Sequence, residues 1–131
     1  MARREFADLI ADAHQRLRGA VLENLPWERC IELYDGPRAL FYVDPPYIQV
    51  SNPYGTPFTD DNQRRLAAAL RAIRGRFILS INDHPLAHEL YRGCRIRRVT
   101  CPYGSTARTG RVRRARELLI TGPPRRSRRN R

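Results

Sequence analysis

An aspartate, two prolines and a tyrosine stand in succession, Asp44-Pro45-Pro46-Tyr47. Together they carry the groups that one particular reaction needs. An amino nitrogen conjugated to an aromatic ring has its lone pair delocalised into that ring. To attack an electrophile it must have its hydrogens accepted and be drawn toward tetrahedral geometry. A carboxylate and a backbone carbonyl held rigidly side by side do both. Asp44 supplies the carboxylate and Pro45 the carbonyl, and the ring-locked φ angles of Pro45 and Pro46 aim them. Tyr47 adds an aromatic face on which an unstacked base can lie. The same four residues also suit a plain turn, the acid capping and the prolines ending a strand, so their setting decides between the two.

That setting is an open α/β sheet. Ala39-Leu40-Phe41-Tyr42-Val43 is an unbroken apolar run bounded by turn residues, which predicts a strand covered on both faces with Asp44 at its carboxyl end. Beyond a polar loop, Thr59 caps a helix with Asp60 and Asp61 in its first turn and Leu66, Ala69, Leu70 and Ile73 on its apolar face, ending at Gly75. Phe77 to Ile81 is a second buried-type strand, and strand-helix-strand of this length implies a parallel crossover. Ligands of such sheets bind beyond the carboxyl ends of the strands, where Asp44 and the Asn82-Asp83 pair both fall. Upstream, Phe6, Leu9, Ile10, Ala13 and Leu17 mark a helix from Arg3 to Arg18. Val21 to Asn24 reads as a short extended piece, and Pro26 opens a second helix that ends at the turn Asp35-Gly36-Pro37. Downstream come a short helix through Leu86, Leu90 and Tyr91, an exposed strand from Arg95 to Thr100, a long loop from Pro102 to Arg114, and a closing strand from Glu117 to Thr121.

Charge points to a polyanionic partner. There are 25 Lys+Arg against 13 Asp+Glu, a formal charge of +12, and the basic residues are overwhelmingly arginine, whose forked guanidinium suits phosphate. A composition bias without a partner is the competing account. Cys30, Cys94 and Cys101 form no C-x-x-C, so neither a disulfide framework nor a zinc knuckle is indicated, and a reducing cytoplasm is expected. Asp8 and Asp12 exclude a signal-peptide core, and no apolar run is long enough to span a bilayer. His84 and His88 are four apart, but Pro85 lies between them and no third ligand has metal spacing, so no metal is expected.

Several blocks in fixed order resemble the D12-class adenine-specific DNA methyltransferases, the family that includes the Dam-type enzymes. The likeness runs from about Val21 to Thr121. Tyr34-Asp35-Gly36-Pro37 leading into Leu40-Phe41-Tyr42-Val43-Asp44-Pro45-Pro46-Tyr47 is similar to the family's catalytic block. Phe58-Thr59-Asp60-Asp61-Asn62-Gln63-Arg64-Arg65-Leu66 is similar to the helix that follows it. Phe77 to Asp83 resembles the next strand with its polar tip, and Arg116 to Thr121 the closing strand. The resemblance implies a partial Rossmann-like class I methyltransferase sheet, mostly parallel with an antiparallel last strand. It implies S-adenosylmethionine as methyl donor, touched by Asp44 and Tyr42, and double-stranded DNA as partner. It assigns catalysis to Asp44, Pro45, Pro46 and Tyr47, and places the loop around Tyr103-Gly104-Ser105 near the extruded base.

Relatives bind the donor with a glycine-rich F-x-G-x-G block far upstream of the catalytic one. Here the eight glycines, at 19, 36, 55, 75, 93, 104, 110 and 122, never fall two apart, so no G-x-G exists. The expectation is therefore the downstream half of a catalytic domain over 21–122, preceded by an N-terminal helix over 1–20 and followed by a disordered basic tail over 123–131. A second chain is a candidate source of the donor-binding half. Two residue groups keep two readings each. Asn82 and Asp83 either shape the base pocket or form a strand-end turn with Asp83 as helix cap. Arg108, Arg111, Arg113 and Arg114 either track phosphates or belong to a solvated loop. Three functions fit: an N6-adenine DNA methyltransferase in truncated or split form, an inactive nucleic-acid-binding remnant, and a related methyltransferase acting on RNA adenine or on cytosine.

Overall fold

A computed structural model describes residues 6–50, 57–103 and 113–122. In chain order these form α1 (Phe6–Leu17), α2 (Trp27–Tyr34), β1 (Leu40–Val43), α3 (Asp60–Ala72), β2 (Arg76–Asn82), α4 (Pro85–Leu90), β3 (Arg95–Tyr103) and β4 (Arg113–Thr121). The strands make one mixed sheet in the order β1-β2-β4-β3. β1 and β2 are parallel, whereas β4 runs against both neighbours. Three strands thus point one way, but β4 lies between β2 and β3, so two of the three ladders are antiparallel rather than the sheet being mostly parallel.

Local signals explain the elements. Thr59 accepts a hydrogen bond from the Asn62 amide at 3.3 Å and caps α3, whose first turn carries Asp60 and Asp61 against the helix dipole. Pro26 stands at the N-cap of α2, and Asp35 ends it. The Asp35 carboxylate then accepts the backbone amides of Arg74 (2.8 Å) and Gly75 (2.9 Å), tying the end of α2 to the turn that starts β2.

The core lies on one face of the sheet. Phe77, Leu79 and Ile81 of β2 and Leu118 and Ile120 of β4 alternate inward and pack against Leu66, Ala67 and Leu70 of α3 and Leu86, Ala87 and Tyr91 around α4. Trp27 and Ile31 of α2 pack at its margin, where Arg65 lies 6.0 Å over the Trp27 ring and pairs with Glu28 at 2.7 Å. The opposite face is less covered. β1 alternates exposed and half-buried residues instead of being covered on both sides, and Tyr42, grouped with the core by its apolar run, is 67% exposed. Apolar runs alone cannot distinguish a strand packed on two faces from one packed on one.

The apolar stripe of α1 is also open: none of its residues is buried, and Phe6 is 78% exposed. Residues 21–24 form no strand. β3 and β4 each extend further than the sequence pattern predicts, to Tyr103 and back to Arg113, so that residues 102, 103, 113 and 114, at the two ends of the expected loop, belong to the ladder. The expected tail over 123–131 lies outside the described residues. No described helix is long and apolar enough to cross a membrane.

Gly75 meets the chain where α2, α3 and β2 converge. A Cβ added there would stand 2.8 Å from the Ala39 carbonyl oxygen, which is backbone and cannot swing away. Gly75→Ala is expected to destabilise the fold by about 1–3 kcal/mol, read as a lower urea midpoint. The Asp35 carboxyl is held below its ordinary pKa, first by the Arg74 amide and then by that of Gly75, with burial opposing both. A depressed carboxyl contributes stability that is present above the unfolded value of about 3.9 and is lost as pH falls through the folded value. Acid unfolding of Asp35→Asn should therefore lack that part of the pH dependence below about pH 4.

Candidate active site

Parallel pairing fixes the geometry of the site. β1 and β2 are in register with Val43 opposite Leu79, so the next positions along, Asp44 and Ser80, come together at the same rim. The Ser80 hydroxyl donates to Asp44 Oδ1 at 2.7 Å, and the Tyr42 hydroxyl donates to Ser80 Oγ at 3.2 Å. Tyr42 and Asp44 share a face of β1 because side chains alternate along a strand. Ser80 is buried, while the Asp44 side of the pair is exposed to solvent.

From Pro45 to Gln49 the chain is fastened residue by residue. Pro45 is buried, and its carbonyl accepts no hydrogen bond from any described residue. The Pro46 carbonyl accepts the Gln63 carboxamide at 2.9 Å; Gln63, on α3, is 0% exposed and its Oε1 meets no partner among the described residues. The Tyr47 hydroxyl donates to Glu117 Oε1 of β4, which anchors the tip of its half-buried ring. Asn82 holds Ile48 at both ends: its Oδ1 accepts the Ile48 amide at 2.9 Å and its Nδ2 donates to the Ile48 carbonyl at 3.1 Å. Gln49 adopts the left-handed conformation at φ 56°, uncommon outside glycine, and its side-chain oxygen meets His84 Nε2 at 3.2 Å. Such a backbone conformation persists where surrounding contacts over-determine it, as the bonds to Ile48 and Gln49 do here.

Asp83 points elsewhere. Its carboxylate joins His88 Nε2 at 2.7 Å and Arg98 Nε at 3.0 Å, and it sits below its ordinary pKa because of the His88 hydrogen bond first and Arg98 after it, with burial opposing. The cap of α4 is not Asp83 but His84, whose Nδ1 accepts the Leu86 amide at 3.2 Å ahead of Pro85. Both histidines are thus spent on local hydrogen bonds. Among the described residues no three His, Cys, Asp or Glu side chains gather as a metal site.

The β3–β4 hairpin overhangs this rim. Asn82 faces Glu117, which faces Val99, and β3 continues four more residues to Tyr103, about 13 Å further at ordinary strand rise. Tyr103 is paired with Arg113 and Pro102 with Arg114, so the ladder places positions 103, 113 and 114 together near its end. Gly104, Ser105, Arg108 and Arg111 lie outside the described residues. An open hollow of about 770 Å³, lined by Leu40, Leu70, Phe77 and Arg95 among others, lies at the other rim and touches none of the expected site residues.

The sequence profile of the D12 class N6 adenine-specific DNA methyltransferases matches residues 4–103. The chain belongs to this family. No curated protein matches it. The D12 match spans every element from α1 to β3 and includes the whole of the fastened loop. Sequence reasoning missed Ser80, Gln63 and Glu117 as parts of the candidate site. Gln63 lies in the 58–66 block, where the sequence pattern gives it no role, and the other two are brought in only by strand register.

Removing the Asn82 clamp should release the loop. Asn82→Ala is expected to cost about 1–3 kcal/mol of stability and to speed hydrogen exchange at the Ile48 amide well beyond that at β2 amides.

Proposed function

We propose that this D12-family chain carries the catalytic block of a site-specific DNA adenine N6-methyltransferase. One observation carries the reading: Asp44, Pro45 and Tyr47 stand together at the rim of the parallel pair, the acid exposed and the loop behind it fixed at Pro46, Tyr47, Ile48 and Gln49. In this reading Asp44 and the Pro45 carbonyl accept the hydrogens of the adenine amine, and the adenine ring lies against Tyr47 after leaving the duplex. The amine proton is released through the Asp44 carboxylate to solvent. Preorganisation supports the assignment, because acceptors that need no rearrangement contribute most at the moment of reaction.

S-adenosylmethionine supplies an electrophilic methyl group in this family's chemistry. Tyr42 and Asp44, exposed on β1, are the residues of this chain suited to contact it. The chain has no G-x-G, so the main donor-binding block is expected from other sequence, on the same polypeptide or on a second one. We infer that β1 to β4 form the downstream half of a Rossmann-like sheet, with Asn82 shaping the pocket wall through Ile48 and with Tyr103, Gly104, Ser105 and the arginines Arg108, Arg111, Arg113 and Arg114 near base and phosphates. The charge of +12 supports a duplex DNA partner held largely through its phosphates.

The test is methyl transfer to unmethylated duplex DNA by the chain combined with a glycine-rich donor-binding segment. Asp44→Ala is expected to lower transfer by about 10²–10⁴-fold while duplex binding stays within about twofold. Transfer undiminished by the substitution would remove Asp44 from the reaction. Duplex binding without transfer in any combination would favour a nucleic-acid-binding remnant.

A further inference from the structure

Asp44 has two oxygens, and the chemistry above needs at least one turned toward the substrate amine. Oδ1 is engaged by the Ser80 hydroxyl at 2.7 Å, whereas among the described residues Oδ2 meets no donor. A carboxylate at the end of a strand rotates freely about its last bond unless something holds one oxygen. Ser80 is 6% exposed, so its hydroxyl has few alternatives to the bond it makes, and a buried hydroxyl must spend its single proton on one acceptor. What decides the direction of that proton is the second bond. Tyr42 donates into Ser80 Oγ at 3.2 Å, which fills an acceptor site of the serine and leaves its proton for Asp44. Tyr42 is two-thirds exposed, with little packing to fix it, and yet its hydroxyl turns back to the sheet.

We propose that Ser80 and Tyr42 are positioning residues for Asp44: Ser80 occupies Oδ1 so that Oδ2 faces the substrate amine, and Tyr42 sets the direction of the Ser80 proton. The proposal rests on the functional reading for its purpose, but not for its physics. A chain of two hydrogen bonds polarises each of them, and replacing Ser80 by Ala should leave the Asp44 carboxylate without its fixed orientation.

The test is the split between kcat and KM in the complemented transfer assay. Ser80→Ala is expected to lower kcat roughly tenfold with little change in KM. Tyr42→Phe should lower kcat by a smaller factor, and Ser80→Thr, which keeps a hydroxyl on a strand that suits β-branched residues, should restore it toward the wild-type value. An unchanged kcat in Ser80→Ala, or a Thr variant that behaves like the Ala variant, overturns the proposal. A check that needs no turnover is the NMR signal of the Asp44 side-chain carboxyl carbon on the whole chain at one fixed pH, which should move in Ser80→Ala and return in Ser80→Thr. Should Asp44→Ala leave methyl transfer intact while that signal still moves, the functional reading fails and the positioning stands.

Discussion

A strand of four residues cannot hold a reactive group in place by itself. β1 is that short, lies at the edge of the sheet, and has only β2 beside it among the described strands. The parallel ladder from Leu40–Arg76 to Val43–Leu79 is therefore the constraint on which the site depends. Because the two strands run the same way, both deliver their last residues to one rim, and register brings Ser80 to Asp44. Had β1 paired antiparallel, its carboxyl end would face the start of β2, where Arg76 lies, and Asp44 would sit among cations away from Asn82 and Glu117. The direction of one ladder thus sets the chemistry available at the rim.

The ladder would be of little use without an anchored β2. That strand is central, bonded on one side to β1 and on the other to β4, and its inward residues Phe77, Leu79 and Ile81 are all but inaccessible to solvent. Burying such side chains contributes about 1.5–3 kcal/mol each, an upper range given a compact unfolded state. The outward residues of the same strand, Ser80 and Asn82, then inherit that rigidity, and so do the atoms they hold, Asp44 Oδ1 and both ends of Ile48. Alternation along one strand converts hydrophobic burial on one face into polar precision on the other.

Much of this was legible in the sequence because it depended on local pattern. The apolar runs gave β1 and β2, Thr59 gave the start of α3, and Asp44-Pro45-Pro46-Tyr47 stood out by composition alone. What the sequence did not reveal depended on pairing between distant segments. Ser80 sits inside an apolar run and looks like a small core residue until register places it beside Asp44. Glu117 opens the closing-strand pattern, and only the antiparallel ladder with β2 brings it to Tyr47. Residue preference offers Asp83 as one candidate cap of α4, yet histidine can accept through Nδ1, and Asp83 gains more from two cationic or polarised partners, His88 and Arg98, than from one backbone amide. The length of the hairpin was underestimated because arginines dilute the alternation that marks a strand.

One-sided burial also accounts for the parts of the chain that look unfinished. The buried apolar side chains of the described strands come from one face, and on the other Ser80 is buried while the β1 and β2 positions Leu40, Tyr42 and Ile78 are exposed or half-buried. A sheet face of that kind with an open β1 edge leaves backbone donors and acceptors available for another strand. The exposed stripe of α1 has the same character: apolar periodicity without a surface under it. The open sheet face sits beside the fastened loop, since Tyr42 belongs both to that face and to the Asp44 relay. Whatever covers that face would alter the solvent around Tyr42, and with it the strength of the bonds that orient Asp44, because a hydrogen bond shielded from water is stronger than one exposed to it. Covering that face and tuning the acid are thus physically coupled.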